Sequence, residues 1–221
     1  MKFFFLPALF LASSVFAQDS LLYSSLIPRH AVKISPLHLL NFYPTIQLAY
    51  EIKVAKRFSL QLEGGYVLNY NLNENPEYQD KRGAKAKVEL HYYMLPSKRA
   101  NLIFYGAAEV YWNAVDFDRL TSQAECFDIN CNHAYTREYT NTVTYREPGV
   151  GLKLGFMKYF DDFFMDINSG WGVRFINYTD PSRPTGLIND VNEWGMISIP
   201  NESDRVTLSP IVGIRFGYRI R

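Results

Sequence analysis

The stretch that decides the fold is LSPIVGIRFGYRI, at residues 208–220. Apolar and polar side chains alternate along it with a period of two, which is the period of a β-strand. One face carries Leu208, Pro210, Val212, Ile214, Phe216, Tyr218 and Ile220, and the other carries Ser209, Gly213, Arg215, Gly217 and Arg219. Ile211 is the one break in the polar face. The pattern predicts a strand with one lipid-facing side and one side towards a polar lumen.

The same alternation occurs at intervals through the rest of the chain. It is clear at residues 46–54, 58–66, 84–94 and 163–175, and less clean at residues 31–40, 101–114 and 149–159. Pro36 weakens the first of these three because proline cannot donate a hydrogen bond to a ladder. We therefore expect an all-β fold, an eight-stranded antiparallel up-and-down transmembrane β-barrel.

The connections between these segments alternate in length. Those at residues 55–57, 96–100 and 160–162 are short, and those at residues 71–81, 115–139 and 179–207 are long. The first outer connection, at residues 41–43, is the exception because it is short as well. An even number of strands leaves both ends of the chain on the periplasmic side, so the long loops would be extracellular.

The N-terminus has the features of a secretory signal peptide. Lys2 is followed by an apolar run at residues 3–11 and then by small residues and Val15-Phe16-Ala17. We expect cleavage after Ala17, with the barrel domain at residues 18–221. The alternative of an uncleaved anchor would need about 20 apolar residues, more than this run provides. The expected location is the outer membrane, after export.

The composition excludes two other classes of protein. Transmembrane helices do not accommodate 20% charged residues, whereas strands can show the 16 Tyr and 16 Phe side chains to lipid and the charges to a lumen. The chain has 23 basic and 22 acidic residues, so removal of Lys2 with the signal leaves a net charge of zero. No nucleic-acid partner is therefore expected.

In architecture the chain resembles the small eight-stranded outer-membrane barrels of the OmpA/OmpX type. Gly213-Ile214-Arg215-Phe216-Gly217-Tyr218 also resembles the Gly-x-x-aromatic-x-aromatic signal that the barrel-assembly machinery reads. Such chains commonly finish on an aromatic residue, whereas two charged residues surround Ile220 here. The resemblance implies outer-membrane lipid and the assembly machinery as partners, and it carries over no active site.

The expected inward faces carry both signs of charge. These inward residues are Glu51, Lys53, Glu63, Lys85, Lys87, Glu89, Glu109, Lys153, Asp166, Arg174 and Arg215. An eight-stranded barrel is only wide enough to be filled by side chains or to hold one small ligand. We therefore expect a paired ion network that plugs the lumen, since an unpaired buried member would cost roughly several kcal/mol. A narrow gated channel is the alternative.

Cys126 and Cys131 lie five positions apart in the long connection that follows the fifth strand. In an exported protein this pair predicts a disulfide. The alternative is a metal site with Asp128 and His133, but the set lacks a recognisable zinc spacing. No metal is therefore expected.

Strand-like segments flank this loop at residues 111–117 and 135–145. They predict a hairpin that projects above the membrane, as in OmpX-like barrels, whose unpaired edge could capture the strand of a surface partner. The alternative interpretation is an aromatic girdle with a solvated extension. The expected function is accordingly a structural or surface-interaction role.

An enzyme and a soluble binding protein are the remaining alternatives. The four histidines, His30, His38, His91 and His133, have no serine at a spacing that would place a nucleophile beside a base, so no lipid-modifying activity, catalytic residue or cofactor is expected. A periplasmic lipocalin-like barrel would also have eight strands, but with apolar residues inside and charges outside. Alternation alone does not distinguish these two orientations of the faces.

Overall fold

The computed structural model describes residues 27–40, 43–69, 78–97, 100–126, 134–179 and 205–220. Their elements are β1 (His30–Ile34), a 3-10 helix (Pro36–Leu40), β2 (Thr45–Lys53), β3 (Phe58–Val67), β4 (Tyr78–Ser97), β5 (Leu102–Cys126), β6 (Ala134–Phe160), β7 (Phe163–Thr179) and β8 (Arg205–Ile220). In these ranges no helix has the length and apolar character needed to cross a membrane. The signal peptide expected at residues 1–17 lies outside the described residues.

The strands form a closed barrel in sequence order. Each strand pairs antiparallel with the next, and β8 pairs with β1 from His30↔Ile220 to Ile34↔Phe216. Closure leaves no unpaired edge around the wall of the barrel. The predicted all-β fold of eight antiparallel up-and-down strands is confirmed. The barrel has a turn end, with the connections after β2, β4 and β6, and an opposite loop end.

The strand expected at residues 31–40 is wrong in its second half. β1 ends at Ile34, and the chain continues into the 3-10 helix Pro36–Leu40. The physical reason is Pro36, which has no amide hydrogen for the ladder and whose fixed φ suits the start of a helical turn. The pairing with β2 correspondingly runs only from His30↔Ile52 to Ile34↔Leu48.

β4, β5 and β6 extend further towards the loop end than expected, into segments that were predicted to be long connections. The expected loop at residues 115–139 is mostly the continuation of β5 and β6, which pair as far as Cys126↔Ala134. β4 likewise begins at Tyr78, inside the expected loop at residues 71–81. Polar residues occupy both faces of these segments, as with the adjacent Asp118 and Arg119, so hydrophobic periodicity does not reveal them.

The outer faces of the strands expose large apolar side chains around the whole barrel. Every strand contributes, and we call this set the outer belt: it includes Val32, Leu48, Leu62, Leu90, Val110, Leu152, Trp171 and Val212. The exposed fraction reaches 70% at Leu152. The barrel thus presents its apolar face to its surroundings.

Two apolar clusters lie inside the barrel, one towards each end. The turn-end cluster consists of Ile27, Ala31, Tyr93, Ile103, Tyr105, Ala107, Met157, Tyr159 and Phe164. The loop-end cluster consists of Tyr43, Val67, Val115, Phe117, Val143, Tyr145, Ile176 and Tyr178. Along β5 the buried Glu109 lies between Ala107 of one cluster and Val115 of the other. Charged residues therefore occupy the middle of the lumen.

Ile211, the break in the polar face of β8, is explained by glycines on the neighbouring strands. A Cβ atom on Gly151 would lie 2.5 Å from Ile211 Cδ1, and one on Gly172 would lie 3.1 Å from it. The isoleucine side chain therefore fills the space that these two residues leave. Ile211 therefore points inwards and packs against the neighbouring strands, so the break in the polar face does not mark a shift in the register of β8.

Candidate functional site in the barrel lumen

Ten inward side chains from all eight strands form one connected group, which we call the lumen cluster. Its members are Lys33 on β1, Glu51 on β2, Glu63 on β3, Lys87, Glu89 and His91 on β4, Glu109 on β5, Lys153 on β6, Asp166 on β7 and Arg215 on β8. They meet because strand alternation directs each of them inwards and the register of the ladders brings them to neighbouring positions. The middle of the barrel thus collects charges from all eight strands.

Glu89 is the centre of the lumen cluster and its side chain is fully buried. Its carboxylate accepts hydrogen bonds from both terminal nitrogens of Arg215, a two-point contact that fixes the geometry of the pair. Lys153 Nζ lies 2.7 Å and Lys87 Nζ lies 3.3 Å from Glu89 Oε1. Three cations therefore surround one carboxylate.

Lys33 joins two further carboxylates on the other side of the lumen cluster. Its Nζ lies 2.8 Å from Glu51 Oε2 and 2.9 Å from Asp166 Oδ2. The hydroxyls of Ser59 and Tyr93 donate to Glu51, and that of Tyr105 donates to Asp166. Because Tyr93 and Tyr105 also belong to the turn-end apolar cluster, they join the charged layer to the apolar one.

The lumen cluster is electrically balanced when His91 is protonated. Its five carboxylates face the four permanent cations Lys33, Lys87, Lys153 and Arg215. The ring nitrogens of His91 lie 3.4 Å from Glu51 and 2.9 Å from Glu89, between the two parts of the cluster. Buried charges are tolerated when they are paired in this way.

The predicted lumen residues fall into two groups. The structure brings Glu51, Glu63, Lys87, Glu89, Glu109, Lys153, Asp166 and Arg215 into the lumen cluster. Arg174 lies nearer the loop end, where it forms an ion pair with Glu147 at 3.5 Å. Lys85 also lies outside the lumen cluster, opposite Gly65 of β3 and Asn113 of β5 in the ladders. Lys53, also expected to face inwards, lies at the turn-end rim and is half-buried.

Sequence reasoning missed three charged residues of the lumen. Lys33 alternates with Val32 and Ile34 in β1, so its inward position could have been found from the same period of two. His91 was not expected in the ion network, although it shares a face with Lys87 and Glu89 in the alternating segment at residues 84–94. Glu147 precedes residue 149, at which β6 was expected to begin. Pro148, which follows Glu147, interrupts the alternation of apolar and polar residues there.

The 3-10 helix lies against the lumen from the loop end. It contacts β2 and β8, the strands that flank β1 on either side. His38 on this helix lies within electrostatic range of Lys85, Lys87 and Arg215. Because the helix contacts the strands on both sides of β1, it lies at the loop end of the lumen, on the same side as the loop-end apolar cluster.

This arrangement supports a packed interior. Each carboxylate of the lumen cluster has a cationic nitrogen no farther away than the 3.0 Å between Lys87 and Glu63, so its charge is compensated inside the barrel. Within the described ranges, no group of three or more His, Cys, Asp or Glu side chains is arranged to hold a metal ion. The chemical capacity of the site is mutual neutralisation of charge.

The predicted disulfide stays a prediction. Cys126 ends β5, but Cys131 lies outside the described residues. The alternative metal site with Asp128 and His133 also lies outside them.

The chain matches no known family model and no curated protein.

Proposed function

We propose that this protein is an integral barrel of a bacterial outer membrane, with a packed lumen and a structural or surface-interaction role. The observation that carries the proposal is the outer belt. Apolar side chains exposed around a whole molecule are rare in water, where contiguous apolar patches seldom exceed a few hundred Å². In a bilayer the same surface is favourable, because lipid chains cover it.

The positions of the charges support the membrane rather than the soluble alternative. A lipocalin-like calyx would hold its ligand among inward apolar side chains and would show its charges to water. Here Lys33, Glu89 and Arg215 are buried at the middle of the lumen. Their burial is compatible with a barrel whose surroundings are less polar than its interior.

The packing of the lumen supports a structural role rather than a channel. The lumen cluster lies between two apolar clusters, and the 3-10 helix lies against the loop end. A barrel of eight strands has just enough interior to be filled by its own side chains. A conducting path would require both the ion pairs and the aromatic packing to rearrange.

The β5–β6 hairpin supports a surface-interaction role. Among the described residues, β4 pairs with β5 as far as Tyr78↔Arg119, and β7 pairs with β6 as far as Thr144↔Thr179. Beyond these points β5 and β6 pair with each other to Cys126↔Ala134, which extends the hairpin by about 24 Å at about 3.4 Å per residue. Among the described residues neither edge of this projection is paired with a further strand, so each can accept a partner strand by β-augmentation.

The membrane assignment is tested by fractionation of cells that express the full precursor. We expect the protein in the outer membrane, with a gel mobility that changes on boiling because a folded barrel resists detergent. Recovery in the soluble periplasmic fraction would overturn the proposal and would favour the lipocalin-like alternative. Steady ion conductance of the purified protein in planar bilayers would overturn the packed lumen and favour a channel.

The surface role is tested with an epitope tag inserted in the connection between Cys126 and Ala134. We expect antibody staining of intact cells, because the hairpin would project outside the cell. A matched tag in the turn between Phe160 and Phe163 should be stained only after the cells are permeabilised. The reverse result would show that the hairpin projects into the periplasm.

A further inference from the structure

His91 connects the two parts of the lumen cluster, and its side chain is fully buried. Its Nε2 atom lies 2.9 Å from Glu89 Oε2, and its Nδ1 atom lies 3.4 Å from Glu51 Oε1. Each nitrogen of the ring therefore faces a different carboxylate. The charge on those two carboxylates decides which protonation state of the ring fits between them.

Both carboxylates are held in the ionised form by their other neighbours. Glu89 is surrounded by two lysines and by Arg215, which binds it at two points. Lys33 Nζ lies 2.8 Å from Glu51 Oε2, and two hydroxyl groups, one of them on Tyr93, donate to Glu51 Oε1. Cations and hydrogen-bond donors at a carboxylate favour its charged form. His91 thus lies between two negative charges.

A neutral imidazole does not satisfy both of these contacts. It carries a proton on one nitrogen and a lone pair on the other, so either tautomer of His91 would direct a lone pair at an ionised carboxylate. The imidazolium form carries a proton on both nitrogens and presents one to each carboxylate. The geometry of the two contacts therefore fits the protonated ring.

The surroundings of His91 come from every strand of the barrel. Its ring stacks on Tyr105 of β5 with centroids 4.7 Å apart and meets Tyr93 edge-on at 6.2 Å. Ser59 of β3, its partner in the ladder, is uncharged. The charged groups around the ring and its two carboxylates are Lys33 of β1, Glu51 of β2, Lys87 and Glu89 of β4, Lys153 of β6, Asp166 of β7 and Arg215 of β8. Of these, Glu51 and Glu89 contact the ring nitrogens, whereas the cations contact the carboxylates.

We propose that the barrel binds a proton on His91 as a structural charge, and that pH regulates the stability of the barrel through this proton. The imidazolium is the fifth positive charge of the lumen cluster and faces Glu51 and Glu89 at once. Loss of the proton turns one contact into a repulsion and disconnects the part of the cluster around Lys33 from the part around Arg215. The inference goes beyond the proposed function and needs no bilayer, because every contact lies inside the folded chain.

The direction of the pH effect follows from the protons bound in the folded and unfolded states. A histidine in an unfolded chain releases its proton at about pH 6.5. Above that pH the folded barrel holds a proton at His91 that the unfolded chain has lost, so the free energy of unfolding falls as the pH rises. The folding equilibrium constant should decrease by about tenfold per pH unit for as long as His91 stays protonated in the barrel.

The test measures urea unfolding of the full-length mature protein, folded in lipid vesicles, at pH 7 and pH 8. His91→Gln replaces the ring with an uncharged amide. His30→Gln is the matched control, since His30 contacts Tyr50 on the outer face and does not belong to the lumen cluster. Comparison of each variant with the wild type cancels the titration of the other groups, and mobility with and without boiling verifies that each variant is folded.

We expect the wild type and His30→Gln to share a dependence on pH that His91→Gln lacks. The change in the folding constant between pH 7 and pH 8 should differ by about tenfold between His91→Gln and the other two proteins. The same pH dependence in all three proteins would overturn the proposal, because the proton concerned would not be on His91. A dependence lost in His30→Gln alone would overturn it as well, since the proton would then lie on the outer face.

A second measurement decides the matter if His91→Gln does not fold. The chain has four histidines, so His91 is the only one left in His30→Gln/His38→Gln/His133→Gln. Nitrogen NMR of this variant, and of the wild type, distinguishes a ring with two protonated nitrogens from a neutral ring. We expect two protonated nitrogens on His91 at pH 7 and pH 8, and a neutral ring at pH 7 would overturn the proposal. A protein recovered in the soluble periplasmic fraction would refute the membrane assignment alone, and the same measurements would then be made in buffer.

Discussion

The inner and outer faces of the same strands follow opposite rules, and β4 shows the contrast within two residues. Glu89 is fully buried and surrounded by Lys87, Lys153 and Arg215, whereas its neighbour Leu90 points outwards and is 45% exposed. In a soluble protein the exposures of such a pair would be reversed. The comparison shows that the barrel pairs its charges on the inner face and exposes apolar side chains on the outer face, so each face can be tested separately.

Glu89→Gln should have the largest effect on the inner face. The amide keeps the shape of the side chain but leaves Arg215, Lys87 and Lys153 short of a carboxylate in a buried layer. We expect a loss of about 3–5 kcal/mol in the free energy of unfolding. Urea unfolding of the protein refolded in lipid vesicles measures this loss.

A matched change outside the barrel wall controls for Glu89→Gln. Glu138 lies exposed on β6 in the projecting hairpin, so Glu138→Gln should change stability by less than about 0.5 kcal/mol. If the two variants were equally stable, the lumen cluster would not contribute as a buried network.

Leu90→Arg should have the next largest effect and tests the outer face. A charge placed among lipid chains near the middle of the bilayer lowers the free energy of unfolding by about 2–4 kcal/mol. The same urea titration in vesicles measures it. Val206→Arg, at an exposed position near the start of β8, should cost less because lipid-facing charges are tolerated better near the interface. Equal stability of the wild type and both variants would contradict the proposed lipid contact.

Two glycines extend the comparison to packing. A Cβ atom on Gly170 would lie 2.0 Å from the carbonyl oxygen of Leu152, so Gly170→Ala must displace the backbone and should cost about 1–3 kcal/mol. A Cβ atom on Gly64, at an exposed position of β3, meets nothing within 4 Å. Gly64→Ala should therefore be neutral or stabilise by about 0.4–1 kcal/mol, because it restricts the unfolded chain. Thermal unfolding compares the two variants, and equal shifts would contradict the tight approach of β6 and β7.

The smallest effect is expected for an ion pair on the outer surface. Arg146 Nη1 lies 2.9 Å from Asp116 Oδ1, but both side chains are about one-third exposed. Asp116→Asn should lower the free energy of unfolding by about 0.2–1 kcal/mol, and the difference should shrink in 1 M salt, where charges are screened within about 3 Å. A loss as large as that of Glu89→Gln would contradict the distinction between buried and exposed pairs.

Strand assignment from the sequence succeeded where the two faces differ in polarity. β2, β3 and β7 begin within one residue of the expected positions because apolar and polar side chains alternate from their first residues. β5 and β6 were expected too short, since polar residues on both faces of their outer parts remove the contrast. Pro36 was recognised as unfavourable, yet the change to a 3-10 helix depends on where β1 can pair with β2 and β8.

The sequence by itself determined the number of strands and assigned eight of the ten residues of the lumen cluster to inward faces, because the alternation of apolar and polar residues lies within each strand and needs no partner strand. Only the tertiary structure decided which charges pair and that both ends of the lumen are apolar. Lys33 and Asp166 are 133 residues apart, and Glu89 and Arg215 are 126 apart. Such contacts depend on the register of every ladder around the closed barrel, which no single strand encodes.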